Sequence, residues 1–181
     1  MQEIKGYKAF NKDATNRYGQ VFIEGETYYS QGKLQFGNNG NGFHMCTALS
    51  DVFRFVNALD DDVLVAEVTG SGNYVLNNDF YYGYFDMYCF EMITINKFLS
   101  REEIINKMLA SPSYEVKKFF STCRLNSDEK FMFVKEFIND IDVIKALLYY
   151  HFDCHDIYQD SVSISTEEQL RKVLKYGQNN C

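Results

Sequence analysis

The chain has 181 residues, of which 46% are hydrophobic and 17% aromatic, with one proline and no tryptophan. This composition suffices for a packed core and excludes a disordered linker. The formal net charge is −7 and no basic stripe is present, so we expect no standing nucleic-acid partner.

The cysteines and the amino-terminal sequence bear on the compartment. The chain has five scattered cysteines, none in a C-x-x-C pair, and it starts with MQEIKGYKAF, which has no apolar signal-peptide region. No apolar run approaches the roughly 18 residues that span a bilayer. We therefore expect a cytoplasmic protein with reduced thiols and no membrane association.

The first 40 residues are predicted to form short strands separated by glycines. KGYKAF at 5–10 alternates as a strand does, and the following segment is broken at Gly25, Gly32 and Gly37. The sequence GNNGNG at 37–42 predicts a flexible loop, because glycine and asparagine tolerate positive φ. Such a loop also permits close approach of a ligand to the backbone.

A strand and a helix follow the glycine loop. Residues 42–46 read as a short strand, and Thr47 or Ser50 can cap a helix. Apolar residues recur at helical spacing as far as Leu59, so the helix is predicted to reach that point. VLVAEV at 63–68 predicts a central strand, and TGSGNYV at 69–75 a turn into another strand.

The stretch NDFYYGYFDMYCFE at 78–91 sets seven aromatic side chains around Asp86. If 85–95 is one strand, Asp86 and Tyr88 share a face and Glu91 lies on the other. The two carboxylates then cannot act as a pair, which disfavours a two-carboxylate glycosidase.

The rest of the chain is predicted to be helical. Ser100 with Glu103 forms a capping box at the start of one helix, and helical patterns continue after Pro112. Thr166 with Gln169 is predicted to form a further capping box. The predicted fold class is α+β: a mixed, mostly antiparallel two-sheet domain over residues 1–110, followed by a small helical subdomain over 111–181.

Two resemblances follow from these motifs. The pattern GYKAF, GFHMC and VAEV, over about residues 5–105, resembles an uncharacterised family of small bacterial and phage proteins. That resemblance implies no activity. The order of elements also remotely resembles the ADP-ribosyltransferase fold. GFHMCTALSDVFRFV is similar to its second element, VLVAEVTGSG to its third, and FDMYCFEMITINKFL to its last.

The second resemblance implies an NAD-dependent mono-ADP-ribosyltransferase that acts on an unknown target, such as a protein. Asp86, with Asp79 as the alternative acid, would stabilise the cation that develops as the nicotinamide–ribose bond breaks. His44 would be the second catalytic residue, where that fold normally has tyrosine. The first strand offers Tyr7 and Lys8 where that fold has histidine or arginine. The residues implied to bind NAD are Tyr7, Lys8, Gly42, Thr47, Tyr81, Tyr82 and Tyr88.

A non-catalytic function remains an alternative. The chain would then be a phage- or bacterium-encoded interaction or inhibitor protein that binds a host or defence protein complex. The aromatic residues would be strand formers packed against the helical subdomain, with Asp86 in a turn. A surplus of exposed aromatic residues on the C-terminal helices would imply a homodimer or another protein partner.

Three smaller constellations complete the candidates. Cys46 lies two residues after His44, on the same strand face, so a Cys–His nucleophilic pair is conceivable. HFDCH at 151–155 has metal-ligand residue types but no second ligand cluster, so we expect no metal. Arg17 and Arg54 are either anion contacts or solvated surface residues.

Overall fold

The computed structural model describes residues 3–36, 40–56, 59, 62–77 and 87–151. The chain divides into two compact units, Met1–Ile104 and Ile105–Cys181. Within the described ranges, no helix has the length and apolar character needed to cross a bilayer.

The first unit contains the described strands, helix α1 and the beginning of helix α2. Its elements, in chain order, are β1 (Glu3–Asn11), β2 (Thr27–Tyr29), β3 (Phe43–Cys46), α1 (Leu49–Val52), β4 (Val63–Leu76), β5 (Met87–Leu99) and the beginning of α2 (Arg101–Leu109). These bounds confirm the strands predicted at 5–10, 42–46 and 63–68. They also confirm the α+β class.

The five strands of the described residues form one antiparallel sheet in the order β2-β5-β3-β1-β4, and β5 also pairs with β4. The sheet therefore closes on itself. Strand β5 pairs with β4 along one edge and with β3 and then β2 along the other. The prediction of two sheets is wrong, because β4 and β5 are long enough to bend round and bring β5 against β3. Register shifts in the β4–β5 ladder mark the bends.

Strand β4 continues through TGSGNYV, so the turn predicted at 69–75 is wrong. Gly70 is needed for packing, since a Cβ atom there would lie 2.2 Å from Cδ2 of Phe90. Gly72 has φ +81° and lies at the register shift between Ser71 and Tyr74. Both glycines thus serve a bulged strand rather than a turn.

The core of the sheet unit is largely aromatic and aliphatic. Phe90 and Ile93 are both fully buried in it although they are three residues apart, so the strict alternation predicted along 85–95 fails at this point. A register shift on β4 lies opposite this stretch, between the Ser71–Met92 and Tyr74–Phe90 pairs. The buried members of the core are Phe10, Phe22, Phe43, Met45, Ala66, Val68, Phe90, Ile93 and Ile95.

Helix α1 is shorter than the sequence predicts. It spans Leu49–Val52, and its N-cap is Ala48 without a side-chain hydrogen bond. Neither Thr47 nor Ser50 occupies the N-cap position. The prediction that this helix reaches Leu59 is therefore wrong, since residues 53–55 form turns instead.

The described part of the second unit, which ends at residue 151, is helical, as predicted after Pro112. It contains the end of α2, α3 (Ser113–Phe120), α4 (Ser127–Glu136) and α5 (Ile141–His151). The predicted segment with Thr166 and Gln169 lies outside the described residues. In the core of this unit the Phe133 ring lies 5.8 Å from that of Phe119 and 5.0 Å from that of Phe120.

Capping boxes start two of the helices. At α2 the predicted box is confirmed: the Ser100 N–H donates to Glu103 at 2.9 Å, and the Glu103 N–H donates to Ser100 Oγ at 3.2 Å. At α4, Asn126 and Glu129 make the same reciprocal pair at 2.8 and 2.9 Å. Each box satisfies two N–H groups that a helix start leaves without partners.

Candidate functional site

A cleft of about 1000 Å³ opens in the first unit beside the second half of β1. Its walls come from residues 7–11 of β1, parts of 15–22 and 29–36, and residues 40–46 around β3. This volume is at the upper end of the range of ligand pockets, roughly 300–1,000 Å³. It is large enough for a dinucleotide.

The cleft opens because β1 and β3 touch at one point. In the described residues the two strands pair only at Tyr7 and Cys46. Gly6 allows this contact, since a Cβ atom there would lie 2.2 Å from the carbonyl oxygen of Cys46. Beyond the contact, the His44 carbonyl oxygen accepts a hydrogen bond from Lys8 Nζ at 2.9 Å. A side chain thus takes the place of the next rung of the ladder.

Lys8 is a half-buried cation inside this cleft. Desolvation lowers the pKa of Lys8 to about 8, and the charge of Arg17 acts in the same direction, while the Cys46 and Cys89 thiols oppose the shift. The ammonium group also lies 5.6 Å from the centre of the Phe10 ring. At neutral pH most of the Lys8 population remains charged, but the charge is poorly solvated.

The described lining carries positive charge without compensating acids. Lys8 and Arg17 both line the cleft, and no aspartate or glutamate occurs among its described lining residues. The Arg17 guanidinium is exposed and lies 4.7 Å from the centre of the Tyr18 ring. In a chain of net charge −7, this local excess of positive charge favours an anionic ligand.

His44 presents a neutral imidazole in the cleft. Its ring stacks on Phe36 with centroids 5.0 Å apart and planes 10° apart. Nε2 lies 3.4 Å from the Gln35 carbonyl oxygen. Burial lowers the pKa of His44, and the charges of Lys8 and Arg17 lower it further. At neutral pH His44 is therefore a hydrogen-bonding group and a flat surface rather than a cation.

Gly42 lines the cleft, but packing explains why it is glycine. It has φ +107°, and a Cβ atom would lie 2.5 Å from Cys89 Sγ and 2.8 Å from Leu34 Cδ2. The neighbouring Asn41 holds this wall in place: its Nδ2 donates to the Gln31 carbonyl at 2.6 Å, and its Oδ1 accepts from Ser30 Oγ at 2.7 Å. The wall is built before any ligand arrives.

The structure brings together four of the predicted residues. Tyr7, Lys8, Gly42 and His44 line the cleft, whereas Thr47 and Tyr88 are not among its lining residues. The Tyr88 ring is partly buried against the sheet core, with its centroid 5.8 Å from that of Phe90. The remaining predicted residues, Asp79, Tyr81, Tyr82 and Asp86, lie outside the described residues.

The state of the Cys46 thiol argues against the Cys–His alternative. Burial raises the pKa of Cys46 to about 12, and Asp51 acts in the same direction. A thiol with this pKa stays protonated at neutral pH and is a poor nucleophile. Across the ranges that the structure describes, no group of three or more potential ligands could hold a metal ion. Of the HFDCH segment, only His151 is described.

Arg17, one of the two candidate anion contacts, lines the cleft. The segment 12–22 has no periodicity, and its path depends on turns such as the hydrogen bond from the Phe22 N–H to the Ala14 carbonyl at 2.8 Å. These bonds bring Arg17 back alongside β1. Arg54, the other candidate anion contact, lies 3.6 Å from the Asp51 carboxylate and is not among the lining residues.

Residues 4–107 match the family described as a domain of unknown function, DUF7666. No curated protein and no solved structure matches the chain. The family match covers more than half of the chain, including β1, β3, β4 and β5 and therefore every described wall of the cleft. The chain belongs to the DUF7666 family.

Proposed function

We propose that the cleft binds NAD and that the chain transfers ADP-ribose from it to an acceptor. The observation that carries this proposal is the charge of the cleft. Lys8 and Arg17 line a cavity of about 1000 Å³ whose described lining has no acidic residue. NAD is a flat, aromatic dinucleotide with a negatively charged pyrophosphate, and this cleft suits both properties.

Each part of NAD has a suitable neighbour. Lys8 and Arg17 would neutralise the pyrophosphate, Arg17 through paired N–H donors. The stacked rings of Phe36 and His44 offer a platform for adenine or nicotinamide. As a neutral imidazole, His44 would orient a ribose hydroxyl by a hydrogen bond without adding charge near the reacting carbon.

The acid for the chemical step is proposed to be Asp86. Met87 lines the cleft, and so does Asn77, which precedes the segment 78–86. Asp86 is therefore one peptide bond away from a cleft residue, which supports its candidacy. A carboxylate beside the ribose would stabilise the oxocarbenium-like cation that forms as nicotinamide leaves.

The test is the release of nicotinamide from NAD, followed by chromatography, together with mass spectrometry for ADP-ribose attached to the chain. We expect Asp86→Asn to lower the rate by about 100-fold or more, as loss of a transition-state contact does. The affinity for NAD should change little.

Glu91→Gln is the matched control. Its carboxylate accepts hydrogen bonds from the Asn73 N–H at 3.2 Å and Asn73 Nδ2 at 3.0 Å, and Glu91 is not among the lining residues. It should therefore keep its activity. Unchanged turnover in Asp86→Asn, or no NAD binding at millimolar concentration, would refute the proposal.

A second candidate function, protein binding without catalysis, rests on the helical unit. Large aromatic side chains are exposed there, namely Tyr114, Phe131, Tyr149 and Tyr150. If a second copy of the chain covers them, light scattering should give a dimer mass for the wild type and a monomer mass for Tyr149→Ser/Tyr150→Ser. A wild-type monomer at high micromolar concentration would refute the homodimer.

A further inference from the structure

The environment of Lys8 suits chemistry beyond the binding of an anion. We propose that Lys8 Nζ forms an imine with phosphorylated aldehydes that enter the cleft. This activity is independent of NAD turnover, because it needs only the amine, the cavity and a nearby cation.

The geometry selects this lysine. Lys8 is the one lysine among the described lining residues of the cleft. Its Nζ is held by the His44 carbonyl oxygen at 2.9 Å, which fixes the amine between β1 and β3. Lys5 and Lys12, on and just after the same strand, are exposed and do not line the cavity. Access to a shaped pocket therefore distinguishes Lys8 from its neighbours.

Arg17 supplies the selectivity for phosphate. It lines the same cleft, and its guanidinium can hold a phosphate through two N–H donors. With the phosphate held by Arg17, the aldehyde carbon of a small ligand is kept close to Lys8. Proximity of this kind makes condensation with the bound aldehyde faster than condensation with a freely diffusing aldehyde.

The step is a balanced condensation. The neutral amine attacks the carbonyl carbon, the C–N bond forms as the C=O π bond breaks, and one amine proton passes to the oxygen to give the carbinolamine. The C–O bond then breaks, the hydroxyl leaves as water with the second amine proton, and the C=N bond of the imine forms. No oxidant or reductant is needed, and hydrolysis reverses the reaction.

The surroundings of Lys8 also favour the reactive form of the amine. Burial and Arg17 lower the pKa of Lys8 to about 8, against the opposing influence of Cys46 and Cys89; His44 faces the same space as a neutral ring. At pH 7.5 roughly a quarter of such an amine is neutral, compared with roughly 0.1% of an ordinary lysine. Lysines desolvated beside another cation are the ones that form Schiff bases in enzymes.

The test uses pyridoxal 5′-phosphate and the full chain at pH 7.5. Borohydride added at intervals reduces the imine to a stable secondary amine, and peptide mapping by mass spectrometry locates it. We expect initial labelling of Lys8 to be at least about tenfold faster than that of Lys5, since only Lys8 lines the cavity that would hold the aldehyde beside its Nζ. Because both sites are read in the wild-type protein, no variant has to fold.

Pyridoxal without phosphate separates the two parts of the proposal. We expect it to label Lys8 several-fold more slowly than pyridoxal 5′-phosphate does, and Arg17→Gln to remove that difference. Labelling of Lys8 no faster than Lys5 would overturn the proposal. Equal labelling of Lys8 by the two aldehydes would overturn the selectivity for phosphate.

Discussion

Replacing Lys8 by methionine should alter the pH dependence of stability in a defined direction. Desolvation lowers the pKa of Lys8 from its usual 10.5 to about 8 in the folded protein. The Lys8 amine therefore binds its proton more tightly in the unfolded chain than in the folded chain. The charged form of Lys8 destabilises the fold at neutral pH, and the destabilisation fades as pH rises from about 8 towards the unfolded value.

The magnitude follows from the two pKa values. A shift of one pKa unit corresponds to about 1.4 kcal/mol. With the full shift, the free energy of unfolding would change by about 2 kcal/mol between pH 7 and 9.5. Lys8 is only half-buried, so solvent screening reduces the effect, and we expect about 1–2 kcal/mol. The free energy of unfolding of the wild type should rise by this amount relative to Lys8→Met over that interval.

The assay is urea unfolding followed by circular dichroism at both pH values. Titrating groups distant from Lys8 cancel in the difference between the wild type and the variant, which leaves Lys8 and the groups coupled to it, His44, Cys46 and Cys89. Lys8→Met also loses the hydrogen bond to the His44 carbonyl oxygen. This loss lowers the free energy of unfolding by a similar amount at both pH values, so the pH dependence is unaffected. Lys5→Met, which removes an exposed lysine from the same strand, is the control for the loss of one positive charge. A wild type and Lys8→Met that keep a constant difference would refute the desolvation of Lys8.

Three further predictions concern the cleft and the two cores. Gly6→Ala should lower the free energy of unfolding by about 1–3 kcal/mol in urea titrations, because the new Cβ atom would collide with the backbone carbonyl of Cys46 as well as with Cε of Met45; a change below about 0.5 kcal/mol would count against the β1–β3 contact. Phe133→Ala, which empties a buried site between helices, should cost about 3–5 kcal/mol and lower the midpoint of helix loss at 222 nm; an unchanged midpoint would contradict the aromatic core. Cys46 should resist iodoacetamide at pH 8 in the folded protein, because burial raises the pKa of its thiol to about 12; alkylation at the rate of a small thiol would show that the site is open.

The elements that the sequence predicts well are set by neighbouring residues. Alternation identifies β1, a short apolar run after a glycine identifies β3, and the reciprocal bonds of Ser100 and Glu103 start α2. Helices after Pro112 follow from their periodic apolar positions. Each of these signals lies within about ten residues, so a single sequence suffices to detect it.

The features that the sequence did not predict depend on distant contacts. Closure of the sheet requires β5 to pair with β3 and β4 at once, and alternation in one strand carries no information about its partners. The bond between Lys8 and the His44 carbonyl joins residues 36 positions apart. Tyr88 adjoins an aromatic run, which favours a place in the site, but its ring stacks on that of Phe90, two residues along the same strand.

The central claim, that Lys8 makes this cleft a site for a pyrophosphate, is tested most directly by calorimetric titration of ADP-ribose at pH 7 and low salt. We expect saturable one-to-one binding to the wild type, at least about tenfold weaker binding to Lys8→Met as charge-assisted hydrogen bonds are lost, and unchanged binding to Lys5→Met. No binding to the wild type at millimolar concentration, or equal affinity in the wild type and Lys8→Met, would contradict it.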